Sequence, residues 1–358
     1  MERTIRVHLG ANSYDIRIER GLLPRAGEMI RPLASGQRIH LLTDDHVAPL
    51  YADAVAESLR AAGFAVSVQV LPAGEPTKQL PSLAQVWTAM NAAHLTRKDM
   101  LVTLGGGVIG DLGGFAAATF LRGIPFVQIP TSLLAQVDSS VGGKVAIDLP
   151  EGKNLAGAFY QPKLVIIDPD VLDSLPDELF CDGMGEVIKY GMIRSRSLHE
   201  TLVAAGGREG LHPLLDQVIY ECVDIKRDVV ERDERDTGER MTLNFGHTLA
   251  HAIETAQQYN GLSHGAAVGV GMHLITRISE QMGLTKPGTA EEIRRILRLY
   301  GMADNVPASL CEPMLRAITR DKKNLGATLN VILLREVGEC FIHPTTAAFF
   351  ADAGQHLA

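Results

Sequence analysis

The stretch from Gly105 to Asn154 concentrates groups able to bind an anion. It opens with GGGVIGDLGG (105–114), continues through Arg122 and PTSLLAQVDSSVGGK (130–144), and closes on Lys153-Asn154. Glycine has no Cβ, so its backbone can approach a ligand closely and turn N–H groups toward phosphate. Lysine and arginine add charge to such a cradle. One glycine cluster suffices for a cofactor. Two more beside it, with Asp138 as a fixed carboxylate, suggest a second, phosphorylated ligand against the first. Taken alone, GGGVIG is a weak dinucleotide signal, because glycines often serve only a tight turn. Two neighbours strengthen it. Asp44 ends an apolar run and is placed to bond a ribose or adenine edge, and Glu75 and Lys78 in PAGEPTK follow another strand end, where open α/β sheets bind ligands.

A second constellation has the look of a metal site. NFGHTLAH (244–251) puts His247 and His251 four residues apart on one helix face, with Asn244 and Gly246 marking the helix start. His264 lies in a loop at SHG, and Glu186 lies early in a helix at GMGEVIKYG, with Lys189 one turn on. Two histidines and a carboxylate can hold Zn²⁺ with positions left open for substrate oxygens. The plainer reading is that such histidines cap helices and bond backbone. Glu254, one turn past His251, is placed to orient a histidine from behind. No nucleophile arrangement stands out: Ser139 and Ser140 have no nearby histidine in sequence and read as turn residues.

These residues need elements to hold them. In the first half, short apolar runs at 38–43, 65–71, 100–104, 126–129 and 164–167 alternate with helical patterns at 47–62, 80–93 and 111–121, after a hairpin at 4–9 and 14–18. That alternation predicts a mostly parallel sheet with helices on both faces. Beyond Asp168-Pro169 helical periodicity dominates, at 176–195, 211–232, 242–257, 265–282 and 291–300, with one strand at 329–334. The expected organisation is an α/β nucleotide-binding domain over 1–172, a mainly helical metal- and substrate-binding domain over 173–358, and an active site in the cleft between them. The charge run 226–240 reads mostly as a solvated helix face.

Composition sets the outer bounds. With 46% hydrophobic and 21% charged residues among 358, the chain is an ordinary globular protein. A net charge of −8 argues against a nucleic-acid partner. Cys181, Cys222, Cys311 and Cys340 form no C-x-x-C pair, which suits thiols in a reducing cytoplasm. The opening MERTIRVHLG reads as a strand rather than a signal peptide, and no apolar run approaches membrane-spanning length.

Taken together, the segment from Gly105 to Asn154, GEVIKYG, RMTLNFGHTLAHAIE and SHGAAVGVGM resemble the 3-dehydroquinate synthase family of sugar-phosphate cyclases, in family order over nearly the whole chain. DSSVGGK and RxxLNFGHT are the specific segments, since related cyclases depart from the first. The resemblance implies conversion of 3-deoxy-D-arabino-heptulosonate 7-phosphate to 3-dehydroquinate and phosphate, with NAD⁺ and one divalent metal, zinc or cobalt, in a cytoplasmic homodimer. It implies metal ligation by Glu186, His247 and His264. It implies NAD contacts at Asp44, Glu75, Lys78, Gly105, Gly106, Gly107, Val108, Asp111, Thr131, Ser132 and Lys153. Phosphate handling falls to Lys144, Asn154, Asn244, His251, one of Lys322 and Lys323, and Arg122 contributed from a neighbouring subunit. Asp138, Lys189, Lys226 and Arg240 match contacts to substrate hydroxyls and carboxylate, so part of the charge run is functional. Three positions depart from the family pattern. Ala266 stands where Glu or Gln is usual, which leaves the outer support of His264 open. Ala250 replaces a glycine, and Asp236, at a position sometimes assigned proton transfer, replaces a glutamate.

The main rival is a metal-dependent polyol dehydrogenase, which needs no phosphate-binding lysines. A cyclase for another sugar phosphate is a nearer neighbour, disfavoured by the intact DSSVGGK. A non-catalytic binding protein has no need of three metal ligands.

Overall fold

Four strands built from unbroken apolar runs form the middle of the sheet, and their burial on both faces explains why they do not alternate. The computed structural model describes residues 3–258, 260–322, 329–346 and 348–351. They divide into two compact units, Met1–Pro176 with Lys226–Arg235, and Asp177–Ile225 with Asp236–Ala358.

The first unit contains β1 (Arg3–Val7), β2 (Tyr14–Ile18), β3 (Arg38–Asp44), β4 (Ala65–Leu71), β5 (Met100–Gly105), β6 (Phe126–Pro130), β7 (Lys144–Leu149), β8 (Gly152–Phe159) and β9 (Leu164–Ile167). Its helices are α1 (Ala26–Ile30), α2 (Asp53–Ala61), α3 (Leu80–Ala92) and α4 (Gly107–Thr119). Seven strands form one sheet in the order β1-β2-β9-β6-β5-β3-β4, parallel except for β1 on β2. After β3 the chain adds β4 on one side, then returns past β3 to lay down β5 and β6 on the other. The strand ends at β3 and β5 therefore flank a topological switch point, where open sheets of this kind bind ligands. The β7–β8 hairpin forms a separate two-stranded sheet. It was not expected, because glycines and a proline break up its pattern.

Two corrections concern the glycine cluster. Helix α4 begins at Gly107, with Gly106 as its cap residue, rather than at residue 111. The later pair, Gly113 and Gly114, is buried inside that helix instead of facing a phosphate: a Cβ on either would lie 2.3 Å from Thr103 or Val145. These glycines let the helix settle onto the strands beneath it, so one of the three clusters is packing.

The second unit holds α5 (Asp177–Arg194), α6 (Arg196–Ala205), a single turn α7 (Arg208–Leu211), α8 (Leu215–Arg232), α9 (His247–Ala256), α10 (His264–Gln281), α11 (Thr289–Leu299) and α12 (Ala308–Lys322), with the hairpin β10 (Leu329–Glu336) and β11 (Glu339–Thr345). The last turns of α8 group with the first unit. Among the helices of ten or more residues, the sequence reading lacks α6 and α12: α6 buries only Leu198, His199 and Leu202, and α12 carries Pro313 inside it. His264 is the first residue of α10 rather than part of the preceding loop.

Helix α5 is buried at every residue from Gly183 to Ile193. It meets the start of α10 backbone to backbone. A Cβ on Gly185 would lie 2.3 Å from the Gly265 carbonyl oxygen, and one on Gly265 would lie 1.7 Å from that of Asp182. Gly185→Ala therefore sets two effects against each other. Alanine is about 1 kcal/mol better than glycine in a helix interior, whereas overpacking against a backbone that cannot rotate away costs ~3 kcal/mol or more. Crowding wins, and a net loss of about 2 kcal/mol is expected from urea unfolding. An unchanged or higher midpoint would mean that the helices do not meet here.

Candidate active site

In the first unit, the residues matched to nucleotide contacts gather at the C-terminal ends of neighbouring strands. Asp44 ends β3, Glu75 and Lys78 follow β4, Gly105 ends β5 with Gly106, Gly107 and Val108 after it, and Thr131 and Ser132 follow β6. A Cβ on Gly106 would stand 3.5 Å from Ser132 Oγ and one on Gly107 3.1 Å from Ser139 Oγ. Bare backbone with two serine hydroxyls beside it fits a dinucleotide's phosphates at the start of a helix. Beside it, Lys78 Nζ donates to Asp111 Oδ2 at 3.0 Å, while Glu75 Oε1 lies 3.6 Å from Lys78 Nζ and 3.9 Å from Lys153 Nζ. Burial pushes the Asp111 carboxyl up to about 6 against the pull of Lys78. Burial opposes the charge on Lys78, yet Asp111 and Glu75 outweigh it and raise its pKa. Asp44 has a local task as well: its Oδ1 accepts the N–H groups of His46 (3.0 Å) and Val47 (2.9 Å), so that oxygen caps the turn after β3.

Of the residues of this unit matched to phosphate and substrate contacts, two have a left-handed backbone, Arg122 and Asn154. Lys144 is exposed at the start of β7, after Gly142 (φ 93°) and Gly143 (φ 67°). Asn154 is left-handed at φ 57°, and its N–H donates to Asp148 Oδ1 at 2.8 Å, while the Asp148 N–H donates to the Lys78 carbonyl at 2.7 Å. Asp148 thus ties the nucleotide segment to the Asn154 turn. Sequence reasoning passed over it, although an aspartate two residues before Pro150 is a turn signal. Arg122 is exposed in a run of left-handed residues, Leu121 (φ 50°), Arg122 (φ 67°) and Gly123 (φ 113°), with Arg97 Nε donating to the Leu121 carbonyl at 2.9 Å. Non-glycine residues in this region cost about 1 kcal/mol or more each and collect at functional sites. Lys226 Nζ donates to both Oδ1 and the main-chain oxygen of Asp138, each at 2.8 Å.

In the second unit, the described residues contain one group suited to a metal ion, Glu186, His247 and His264, whose ligand atoms lie within 4.8 Å of one another. Glu186 Oε1 is 3.6 Å from His247 Nε2 and 4.0 Å from His264 Nε2. Tetrahedral bonds of about 2.0–2.1 Å would set such atoms about 3.3 Å apart, so a small contraction accommodates an ion, and the donor set suits zinc. Both rings are held on the other edge. His247 Nδ1 lies 3.2 Å from the Phe245 carbonyl and His264 Nδ1 lies 3.4 Å from Glu254 Oε1. Burial, then Lys189 and the neighbouring histidines, hold His247 well below the ordinary histidine pKa. Burial opposes the charge on His264, but Glu254 and Glu186 outweigh it and raise its pKa. Glu186 also pairs with the buried Lys189 ammonium. Glu254, rather than the residue at position 266, puts a carboxylate beside the outer edge of the His264 ring. Asp182, which sequence reasoning missed, anchors the α10 start by accepting the Gly265 N–H at 2.6 Å.

Around this triad, His251 and His247 meet edge to face with ring centres 5.8 Å apart. Asn244 is exposed at the end of a short helical segment, Arg240 is buried, and Asp236 is left-handed at φ 59°. Lys322 ends α12, but its side chain, with the whole of Lys323, lies outside the described residues.

Comparison with known proteins agrees along the whole chain. The profile described as 3-dehydroquinate synthase N-terminal matches residues 68–182, and that described as 3-dehydroquinate synthase C-terminal matches residues 183–324. A 3-dehydroquinate synthase of Clostridium perfringens is 50% identical over 348 residues, 97% of this chain and 99% of the relative. A solved 2-epi-5-epi-valiolone synthase from Streptomyces hygroscopicus, with NAD⁺ and Zn²⁺ bound, is 25% identical at a TM-score of 0.86, covering 96% of both chains. A solved 2-deoxy-scyllo-inosose synthase, 24% identical, has the same fold at a TM-score of 0.88, covering 99% of this chain and 100% of that one. With both halves of the family matched in order and half its residues identical to a full-length relative, the chain belongs to the 3-dehydroquinate synthase family.

Proposed function

We propose that this enzyme converts 3-deoxy-D-arabino-heptulosonate 7-phosphate to 3-dehydroquinate and inorganic phosphate in the shikimate pathway. The observation that carries the proposal is the triad, with two histidines braced at Nδ1 and turned by Nε2 toward Glu186, in a chain half identical to a 3-dehydroquinate synthase. The solved relative with NAD⁺ and Zn²⁺ supports the same pair of cofactors.

When bound, the two cofactors supply reversible hydride storage and Lewis acidity. Glu186, His247 and His264 would hold the metal. The glycine cradle, Lys78, Asp111 and Lys153 would hold the dinucleotide. Lys144, Asn154, His251, Asn244 and one of Lys322 and Lys323 would grip the phosphate, and Asp138, Lys189, Lys226 and Arg240 the hydroxyls and carboxylate. Phosphate does not readily leave a carbon whose neighbouring C–H is unactivated. A ketone made from the adjacent hydroxyl acidifies that C–H, and the departing phosphate or Asp236 can take the proton. Re-reduction, ring opening and an intramolecular aldol reaction follow, so the protein's work is largely orientation and placement of charge. Hydride transfer takes place at the carbon whose oxygen the metal would polarise, so this reading needs both cofactors at one substrate. It also has Arg122 of one copy serving the site of a second copy in a homodimer, which its exposed left-handed run favours. We assign the enzyme to the cytoplasm. Its four cysteines are unbridged, and among the described residues no helix is long and apolar enough to cross a membrane.

The cofactor's fate tests this reading. With the heptulosonate phosphate in large excess over NAD⁺, phosphate should appear in step with substrate consumed while NADH absorbance stays flat. NADH rising with turnover, and no phosphate, would identify a polyol dehydrogenase instead. Dialysis against a chelator should abolish turnover and leave the helical circular dichroism intact, because α5, α9 and α10 carry their own apolar cores. Zn²⁺ or Co²⁺ should restore activity, and full activity without metal would refute the triad's role. Lys144→Ala should lower kcat/KM by the value of a charge-assisted hydrogen bond, about 1.5–3 kcal/mol. Kinetics near wild type would make Lys144 a turn residue only.

A further inference from the structure

We propose that Glu254 is a positioning residue whose carboxylate holds Nδ1 of His264 and commits Nε2 of that ring to the metal. This builds on the metal-binding reading above and goes beyond it. Glu254 Oε1 lies 3.4 Å from His264 Nδ1, on the ring edge away from Glu186, while Nε2 faces Glu186. The carboxylate is buried, with its side chain 7% exposed. A buried carboxylate needs a partner, since an isolated one is costly, and the His264 ring supplies one.

Helix geometry explains how Glu254 reaches this histidine. Within α9 it follows His247 by seven residues, two turns on, and so shares that ligand's face. Helix α9 therefore contributes one ligand directly and braces another at the start of α10. The two histidines are braced by different means: His247 uses the Phe245 carbonyl, part of its own chain segment, while His264 uses a side chain from another helix. A histidine whose Nδ1–H is donated to a carboxylate has its tautomer and orientation fixed and its Nε2 made more basic. Ala266 offers no polar side-chain atom, so that task cannot be met at the position where the family usually carries Glu or Gln.

Two variants separate the carboxylate from its charge. Glu254→Leu removes both the acceptor and the charge, and Glu254→Gln keeps an acceptor oxygen. Zn²⁺ affinity of the chelator-treated full chain, measured by competition with a fluorescent chelator, should fall about 10–100-fold in the leucine variant and less in the glutamine variant. The visible absorption of the Co²⁺-loaded protein should shift in both. The urea midpoint of the metal-free leucine variant should stay close to wild type, since the neutral imidazole left behind is one-third exposed to water and needs no anionic partner. A merely structural role would instead lower that midpoint and leave affinity unchanged. Zn²⁺ binding within twofold of wild type in a folded leucine variant would overturn the proposal. If that variant does not fold, the ring of His264 in the Zn²⁺-loaded wild type decides by nitrogen NMR: Nδ1–H is expected, and Nε2–H overturns it. A wild-type chain that binds no Zn²⁺ would overturn the metal reading itself, an outcome distinct from equal binding by wild type and variants.

Discussion

The buried charge of Glu186 governs the organisation of the helical unit. A carboxylate removed from water costs several kcal/mol unless cations or donors answer it, and Glu186 is 1% exposed in the middle of α5. Lys189 answers one oxygen, and two imidazole nitrogens face the other. That convergence is possible because α5 and α10 approach at Gly185 and Gly265, where any Cβ would collide with backbone. Asp182 then fixes the first turn of α10 through the Gly265 N–H, in the same contact that sets His264 beside Glu186. Glycine packing, the helix start and the ligand cluster are one structural solution to placing a negative charge in a dry bundle. Such a charge is also what a divalent cation needs as a partner.

The α/β unit solves a related problem with the opposite sign. Lys78 is buried, and its ammonium is held by Asp111 and Glu75, the latter also within reach of Lys153. These groups come together because the chain reverses direction along the sheet between β4 and β5, which brings several strand ends to one edge. The bare backbone at Gly106 and Gly107 opens at the same edge. Asp148 carries the connection onward by bonding the Lys78 segment with its N–H and the Asn154 turn with its carboxylate. The groups matched to a nucleotide and those matched to a phosphate are therefore joined by short hydrogen bonds within one unit, and a shift in one is felt by the other.

Burial pattern decided which elements were legible in the sequence. The runs that became β3, β5, β6 and β9 stand out because both faces are covered. Strand β8, with its alternating exposure around glycines, did not. Helix α6 escaped notice because its buried face is only three residues. At the site, residue types alone suggested two histidines and a carboxylate, but three histidines were available. Resemblance to the family, not spacing, singled out His247 and His264 over His251. Glu254 was visible as a helical neighbour of His251, yet its contact is with His264 on another helix, and no helical periodicity reports such a contact. The opposite error occurred at Gly113 and Gly114, which look like part of an anion cradle and instead let a helix lie flat on its sheet.

The three departures from the family pattern have physical accounts in the structure, each of a different kind. Ala250 is fully buried inside α9, where alanine is about 1 kcal/mol better than glycine for helix stability. The tight approach in that region falls instead at Gly271, where a Cβ would lie 2.2 Å from the Gly246 carbonyl oxygen. Asp236 sits at φ 59°, a left-handed backbone that aspartate adopts more readily than glutamate because its short side chain can bond locally. The shorter acid is therefore the easier one for that turn, and it keeps a carboxylate there. Ala266 differs in that it gives up a polar group, and the loss is tolerable only if another residue supports His264. Glu254 reaches that ring from α9. A substitution that would weaken a metal site, judged from its own position, is offset by a carboxylate twelve residues earlier in the chain.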